Sequence, residues 1–161
     1  RAAEELKIPF VASGGMADAR SLVASLAMGA DGMNMGTRFM ATKEAPVHEN
    51  VKKAIVNASE LDTILIMRSL TNTERVLANP AVDRLMEKEK ALGDKLTFSD
   101  IVDEVAGVYP TIMMDGDMDA GAWSCGMVAG LVYDIPSVKE LIDRIVNEAE
   151  EIIQSKLKQA V

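Results

Sequence analysis

The sequence predicts an α/β fold in which parallel strand-helix units come first and a mainly helical region follows. Three observations support this prediction. The apolar run at residues 8–12 ends at a pair of glycines, and a second short run at residues 33–35 also ends at a glycine. A helical pattern lies between the two runs. We therefore expect a βαβ unit from a barrel or a doubly wound sheet.

The first strand and the helix after it have recognisable local signals. A continuous apolar run such as residues 8–12 is typical of a parallel strand that is covered on both faces, so we expect this strand to be buried. Asp18 is placed to cap the following helix, and Gly29 stands where a glycine commonly ends one. The second strand, at residues 33–35, completes the unit.

The rest of the chain is mainly helical in pattern. Four helices are predicted, beginning near Val47, Pro80, Thr97 and Ser137. Residues 61–67 are rich in β-branched side chains and are predicted to be extended. We accordingly expect residues 1–57 to carry the strand-helix units and residues 58–161 to form a mainly helical region that packs on them.

Composition excludes several classes of function. A formal net charge of −8 argues against a nucleic-acid partner, which needs clustered Lys and Arg. No apolar run approaches the roughly 20 residues of a membrane-spanning helix. The single cysteine, Cys125, and the single histidine, His48, are too few for a Cys/His metal site. A cytoplasmic protein is expected, and the opening at Arg1 resembles the end of a helix from a longer chain.

The two glycine turns suggest a phosphate site. Gly14 and Gly15 follow the first strand, and Gly36 and Thr37 follow the second. A phosphate dianion needs several backbone N–H groups at one point, and side chains would block that approach. Either turn alone could be simple turn geometry. Their occurrence on consecutive strands favours phosphate binding, as does the position of phosphate sites after the last two strands of many barrels.

The residues around these turns resemble a known family. Residues 8–18 and 26–39, including the run from Met35 to Phe39, are similar to the last two strand-helix units of the nitronate monooxygenases, formerly called 2-nitropropane dioxygenases. Residues 123–132 and 135–138 resemble the C-terminal region of the same family. The resemblance implies part of an FMN-binding (β/α)₈ TIM barrel that uses FMN as its cofactor.

The resemblance also implies roles for particular residues. The cofactor-binding residues it implies are Gly14, Gly15, Asn34, Met35, Gly36 and Thr37. The family more often has Gln at the position of Asn34. Its catalytic histidine lies upstream of these segments, so no catalytic residue is predicted in this chain and His48 is expected to be a surface histidine. Ser124 either approaches the substrate or caps a helix that begins near Cys125.

The implied activity is oxidative denitrification of alkyl nitronates, with a small-molecule substrate and O₂ as partners of the parent enzyme. An enoyl-acyl-carrier-protein reductase of the same FMN family is the first alternative, and a non-catalytic fragment or binding module is the second. We expect the chain alone to bind FMN weakly or not at all and to be inactive. We also expect self-association or association with a missing N-terminal part.

Overall fold

The computed structural model describes residues 1–160, which form eight α-helices and four strands. In chain order these are α1 (Ala2–Glu5), β1 (Val11–Ser13), α2 (Ala19–Ala27), β2 (Gly32–Asn34), α3 (Thr37–Met40), α4 (Glu49–Asn57), β3 (Thr63–Ile66), β4 (Glu74–Leu77), α5 (Pro80–Leu92), α6 (Phe98–Val105), α7 (Tyr109–Met113) and α8 (Val138–Ile152). Short 3₁₀ turns occur at Gly93–Lys95 and Met127–Leu131. None of the helices within residues 1–160 has the length and apolar character needed to cross a membrane.

The predicted βαβ unit is confirmed. β1 and β2 pair in parallel, with Val11 opposite Gly32 and Ser13 opposite Asn34. α2 connects them and begins at Asp18, whose carboxylate accepts a hydrogen bond from the backbone N–H of Ser21. β1 starts three residues later than predicted because Pro9, which has no N–H, cannot donate to a ladder.

The prediction that the first strand is buried on both faces is wrong. Val11 is 59% exposed and Ile8 is 69% exposed. Within residues 1–160, β1 pairs with β2 and with no further strand. Burial of a parallel strand requires neighbours on both edges and helices on both faces, and this chain supplies only part of that surrounding.

The second region contains the predicted helices and one hairpin. The predicted helices are observed as α4, α5, α6 and α8, and the extended segment at residues 61–67 is observed as β3. Its antiparallel partner β4 was not predicted, because four residues that include two charged side chains show no clear strand period. The predicted mainly helical region thus also contains a two-stranded sheet.

Two large cores hold this region together. One surrounds Trp123, which is fully buried with Val51 and Ile55 of α4. The other lies between the β3–β4 hairpin and the helices α5 and α6. Since α4 lies before residue 58 and Trp123 after it, the first core crosses the predicted boundary. The division into residues 1–57 and 58–161 therefore stays a prediction.

Helix α8 packs on the βαβ unit. Ala149 of α8 lies in one cluster with Ala19 and Val23 of α2. Leu141 and Ile145 of α8 lie in another with Met35, the residue directly after β2. The last long helix consequently supports the end of the second strand, where the site residues lie.

Candidate functional site

The two predicted glycine turns lie at the same end of one strand pair. Ser13 and Asn34 are the last paired residues of the parallel ladder. Gly14–Gly15 and Met35–Thr37, which we call the first and second glycine turns, therefore leave the sheet side by side. The side-chain amide of Asn34 donates a hydrogen bond to the Ser13 hydroxyl over 3.3 Å, across the two strand ends.

The first glycine turn needs glycine and leaves open space. Gly14 has φ +95° and Gly15 has φ +71°, values that L side chains rarely adopt. A Cβ atom added at either residue, or at Gly36 of the second turn, would meet no other atom within 4 Å. Both turns therefore expose backbone that no side chain covers, and a ligand has room to approach it.

The second glycine turn is anchored from below. The side chain of Met35 is 6% exposed and packs on α8, so only its backbone is available at the strand ends. Thr37 begins α3, and its hydroxyl accepts a hydrogen bond from the backbone N–H of Gly126 over 3.1 Å. The structure thus brings all six predicted cofactor-binding residues to the same end of the strand pair. The side chain of Met35 packs on α8 and that of Thr37 bonds to Gly126, so these two residues offer only their backbone there.

The positive end of α2 is partly used by its own cap. Burial raises the pKa of Asp18, but hydrogen bonds from Ser21 and Arg20 outweigh burial and leave the pKa below its ordinary value. The carboxylate is therefore ionised at the start of α2. A phosphate near Gly15 would therefore be stabilised less by the positive end of α2 than the sequence pattern alone indicates, because the Asp18 carboxylate already binds there.

The cavities near the turns are separate. Gly15 borders an apolar cavity of about 450 Å³ between α1, β1 and α2. Gly36 borders another of about 300 Å³ beside α3. A larger, open cavity of about 760 Å³ lies between the β3–β4 loop and α5, and none of the predicted site residues lines it.

Ser124 does not cap a helix. It forms an isolated antiparallel bridge with Val76, and the 3₁₀ turn after it is capped by Gly126. The backbone N–H of Ser124 donates to the Tyr109 hydroxyl over 2.9 Å. The Ser124 hydroxyl accepts from that of Tyr109 over 2.9 Å and donates to the carboxylate of Glu74. The sequence did not reveal Tyr109 and Glu74, because they lie 15 and 50 residues from Ser124.

His48 and Cys125 have structural roles. His48 caps α4 by accepting a hydrogen bond from the N–H of Asn50 over 3.1 Å, and its ring packs closely on Gly116. The residue is of intermediate exposure, so it keeps contact with solvent while it caps the helix. Cys125 is buried, and burial raises the pKa of its thiol to about 11. Such a thiol stays protonated at neutral pH, so Cys125 has no thiolate to react.

An ion pair between the buried Arg38 and the partly exposed Asp134 begins at the residue that follows the second glycine turn. The guanidinium of Arg38 donates to the backbone carbonyl of Asp134 over 3.0 Å and to its carboxylate over 2.8 Å. Arg144 donates to the other carboxylate oxygen over 2.7 Å. Hydrogen bonding from Arg144 is the main effect that lowers the pKa of Asp134. Sequence reasoning missed this pair, whose members are 96 residues apart.

No group of three or more His, Cys, Asp or Glu side chains in the described part of the chain could hold a metal ion.

Comparison with known proteins identifies the family. The family model described as nitronate monooxygenase matches residues 1–148. A Mycobacterium tuberculosis protein named (3aS,4S,5R,7aS)-5-hydroxy-7a-methyl-1-oxo-octahydro-1H-indene-4-carboxyl-CoA dehydrogenase is 30% identical, with 92% of this chain and 51% of that protein covered. A probable nitronate monooxygenase of Staphylococcus aureus is 25% identical, with 94% and 41% covered.

Solved structures agree with these matches. FabK from Thermotoga maritima superposes with a TM-score of 0.89 and 33% identity, covering 99% of this chain and 49% of that one. A nitroalkane oxidase from Streptomyces ansochromogenes superposes with a TM-score of 0.71 at 22% identity, covering 94% of this chain and 42% of that one, which shows the fold alone. This chain spans about half the length of these relatives. It belongs to the nitronate monooxygenase family, and its βαβ unit is part of a TIM barrel.

Proposed function

We propose that this chain supplies the FMN phosphate-binding end of an FMN-dependent oxidoreductase that oxidatively denitrifies alkyl nitronates with O₂. One observation carries the proposal. Two glycine turns with open backbone leave adjacent parallel strands at the same end. Membership of a family of oxidoreductases supports the enzyme class, and the specific substrate is our inference. A cytoplasmic location stays a prediction.

The phosphate would lie over the strand ends, between the cavities that Gly15 and Gly36 border. The backbone N–H groups of Gly15, Gly36 and Thr37 would hold it, because no side chain stands in front of either glycine. Asn34 is exposed at the end of the second strand, so its side-chain amide would add a contact to the ligand. When bound, FMN would supply the electron-transfer chemistry that no side chain of this chain provides.

Ser124 would act on the substrate side, and its hydrogen bonds restrict what it can bind. Its proton is donated to Glu74, so no proton remains for a nitro or carbonyl oxygen. The hydroxyl oxygen can still accept a hydrogen bond. In this arrangement Ser124 would recognise a substrate group that donates, and binding a nitro oxygen would require Glu74 to turn away. We assign no general base to this chain and expect it upstream.

A second candidate function is the reduction of an enoyl thioester, as in an enoyl-acyl-carrier-protein reductase of the same family. The similarity to FabK favours it, as does the relative whose name includes a CoA thioester. In a protein where this chain forms part of a complete barrel, NADH oxidation that depends on a crotonyl thioester would indicate the reductase. Oxygen consumption dependent on a nitronate would indicate the monooxygenase. Flavin binding without turnover of either would indicate a binding module.

The phosphate site can be tested in the chain itself. We expect FMN to bind weakly, so that it is lost on desalting but shifts the amide NMR signals of Gly15, Gly36 and Thr37. Inorganic phosphate should shift the same signals, because the site recognises the phosphoryl group. Riboflavin, which lacks the phosphate, is the matched control and should not shift them.

Shifts confined to other residues, or equal shifts with riboflavin, would contradict the phosphate assignment. Flavin that stays with the chain at one equivalent after desalting would show that the chain binds FMN more completely than we propose.

A further inference from the structure

Arg38 connects the second glycine turn to the C-terminal part of the chain. It directly follows Thr37, and its side chain is only 3% exposed. Its guanidinium binds both the backbone carbonyl and the carboxylate of Asp134. A planar guanidinium that makes two hydrogen bonds to one residue is fixed in direction as well as in position.

Asp134 is itself held by α8. It lies in the loop before that helix, and its second carboxylate oxygen accepts a hydrogen bond from Arg144. On the same helix, Leu141 and Ile145 pack against Met35. The carboxylate is therefore placed by the same helix that supports the end of β2, and it transmits that placement to Arg38.

Two backbone contacts act beside this ion pair. Gly126 donates its N–H to the Thr37 hydroxyl over 3.1 Å, and the N–H of Lys43 donates to the carbonyl of Pro136 over 2.9 Å. Residues 126–136, which we call the brace, are thus hydrogen-bonded to α3 and the residues after it at three places. Of these hydrogen bonds, only the one from Arg38 to the Asp134 carboxylate uses a side chain of the brace.

We propose that Asp134 is a positioning residue that holds the second glycine turn, through Arg38, in the geometry that receives a phosphoryl group. This inference rests on the proposed function for its ligand. Asp134 does not touch the ligand, and its effect passes through the Arg38 side chain and the backbone of α3. Without the carboxylate, the buried Arg38 would keep only its hydrogen bond to the Asp134 backbone carbonyl and would lack an anionic partner, which favours its exit to water. Because Thr37 precedes Arg38 directly, the turn would then be held less rigidly, by the Gly126 hydrogen bond and the packing of Met35.

The experiment compares the wild-type chain with two variants by amide hydrogen exchange without ligand and by titration with FMN. The exchange readouts are the N–H of Met40, which donates to the Gly36 carbonyl over 3.1 Å, and the N–H of Gly126, which donates to the Thr37 hydroxyl. We expect Asp134→Ala to increase exchange at Met40 and Gly126 and to weaken FMN binding, each by about tenfold, as for loss of a charge-assisted hydrogen bond.

Exchange at Met28, whose N–H donates to the Ala24 carbonyl in α2, should not change. Asp143→Ala is the matched control, because it removes a carboxylate of α8 that pairs with Lys139 and not with Arg38.

If Asp134→Ala does not fold, the double variant Arg38→Met with Asp134→Leu replaces it, since apolar pairs can substitute for buried ion pairs. It should fold and still show increased exchange at Met40 and Gly126. Wild-type protection of these amides in either folded variant would overturn the proposal, as would an equal effect of Asp143→Ala. Wild-type chain whose signals do not respond to FMN would contradict the proposed function instead, and the ligand-free exchange would still decide whether Asp134 holds the turn.

Discussion

At the residue scale, Gly15 and Gly107 have nearly the same φ angle in different parts of the chain. Gly15 has φ +71° and Gly107 has φ +73°, and a Cβ at either residue would meet nothing within 4 Å. Gly15 lies at the strand ends, whereas Gly107 lies between α6 and α7. A side chain costs about 1–2 kcal/mol of left-handed strain at either position. The two residues therefore separate the effect of strain from the effect on a ligand.

We predict that Gly15→Asp abolishes the response of the chain to FMN. Its carboxylate would stand in the open space in front of the turn and repel the phosphate dianion. The measurement is the FMN-induced shift of the Gly36 and Thr37 amide signals, together with the thermal unfolding midpoint.

Gly107→Asp is the control for this prediction. It should lower the unfolding midpoint by a similar amount and leave the FMN response unchanged. A Gly15→Asp chain that responds to FMN like the wild type would remove the first glycine turn from the site.

At the scale of a single element, α8 joins the site to the rest of the chain. Its start is a capping box: the Ser137 hydroxyl accepts from the Glu140 N–H over 3.2 Å, and the Glu140 carboxylate accepts from the Ser137 N–H over 2.7 Å. The carboxylate also accepts from the Ser137 hydroxyl over 2.8 Å. The hydrogen bonds donated by the Ser137 backbone and hydroxyl, followed by the hydrogen bond and the charge of Lys43, lower the pKa of Glu140 to about 2. Asp134 lies shortly before this cap, and its carboxylate accepts a hydrogen bond from Arg144 near the middle of the helix, so α8 is connected to the brace.

The lowered pKa of Glu140 predicts an acid-dependent part of the stability. The unfolded chain binds this proton near the ordinary pKa of 4.5, and the folded chain binds it only near 2. The stabilisation is therefore fully present above about pH 5 and is lost as the pH falls toward 2. We expect Glu140→Gln to lower the urea midpoint at pH 7 and to reduce its dependence on pH between 5 and 3.

Glu150 is an exposed residue of the same helix and provides the comparison. Glu150→Gln should leave the acid dependence of the urea midpoint as in the wild type. Identical pH curves for Glu140→Gln and the wild type would show that the cap does not stabilise α8 through the ionised carboxylate.

At the scale of the whole molecule, the βαβ unit has an uncovered edge. Ile8 and Val11 are both more than half exposed, and within the described residues β1 has one strand neighbour. A complete barrel has eight strands and about 250 residues, whereas this chain spans about half the length of its relatives. We propose that a parallel strand of the missing part of the barrel covers this edge.

In the chain alone, the uncovered edge should cause self-association, because unpaired strand edges and exposed apolar side chains recruit other chains. We expect sedimentation velocity to show a mass that grows with protein concentration. Val11→Lys should shift the distribution toward the monomer, since a lysine on an edge strand opposes pairing.

Leu61→Lys is the matched control, because Leu61 is 81% exposed and lies outside the βαβ unit. It should not change the association. A wild-type chain that remains monomeric at high concentration, or an equal effect of the two lysine substitutions, would argue against β1 as the associating edge.

Much of the fold could be predicted because its signals are local. Asp18, Thr97 and Ser137 each lie directly before the helix they cap, and the interactions that reveal them span three residues. The two glycine turns were also visible locally, since each follows an apolar run. β4 and α7 were not predicted, because each is four or five residues long and depends on packing against distant segments.

Local sequence alone therefore accounts for the order of the helices, the parallel pair and the glycines at its end, because backbone conformation and capping depend on neighbouring residues. Folding adds the contacts between distant residues: Arg38 with Asp134, and Ser124 with Glu74 and Tyr109. No sequence period links these residues, since their side chains meet only after α8 packs on the βαβ unit and the hairpin packs beside Trp123. The open edge of β1 has the same origin, because coverage of a strand depends on which other strands are present to pair with it.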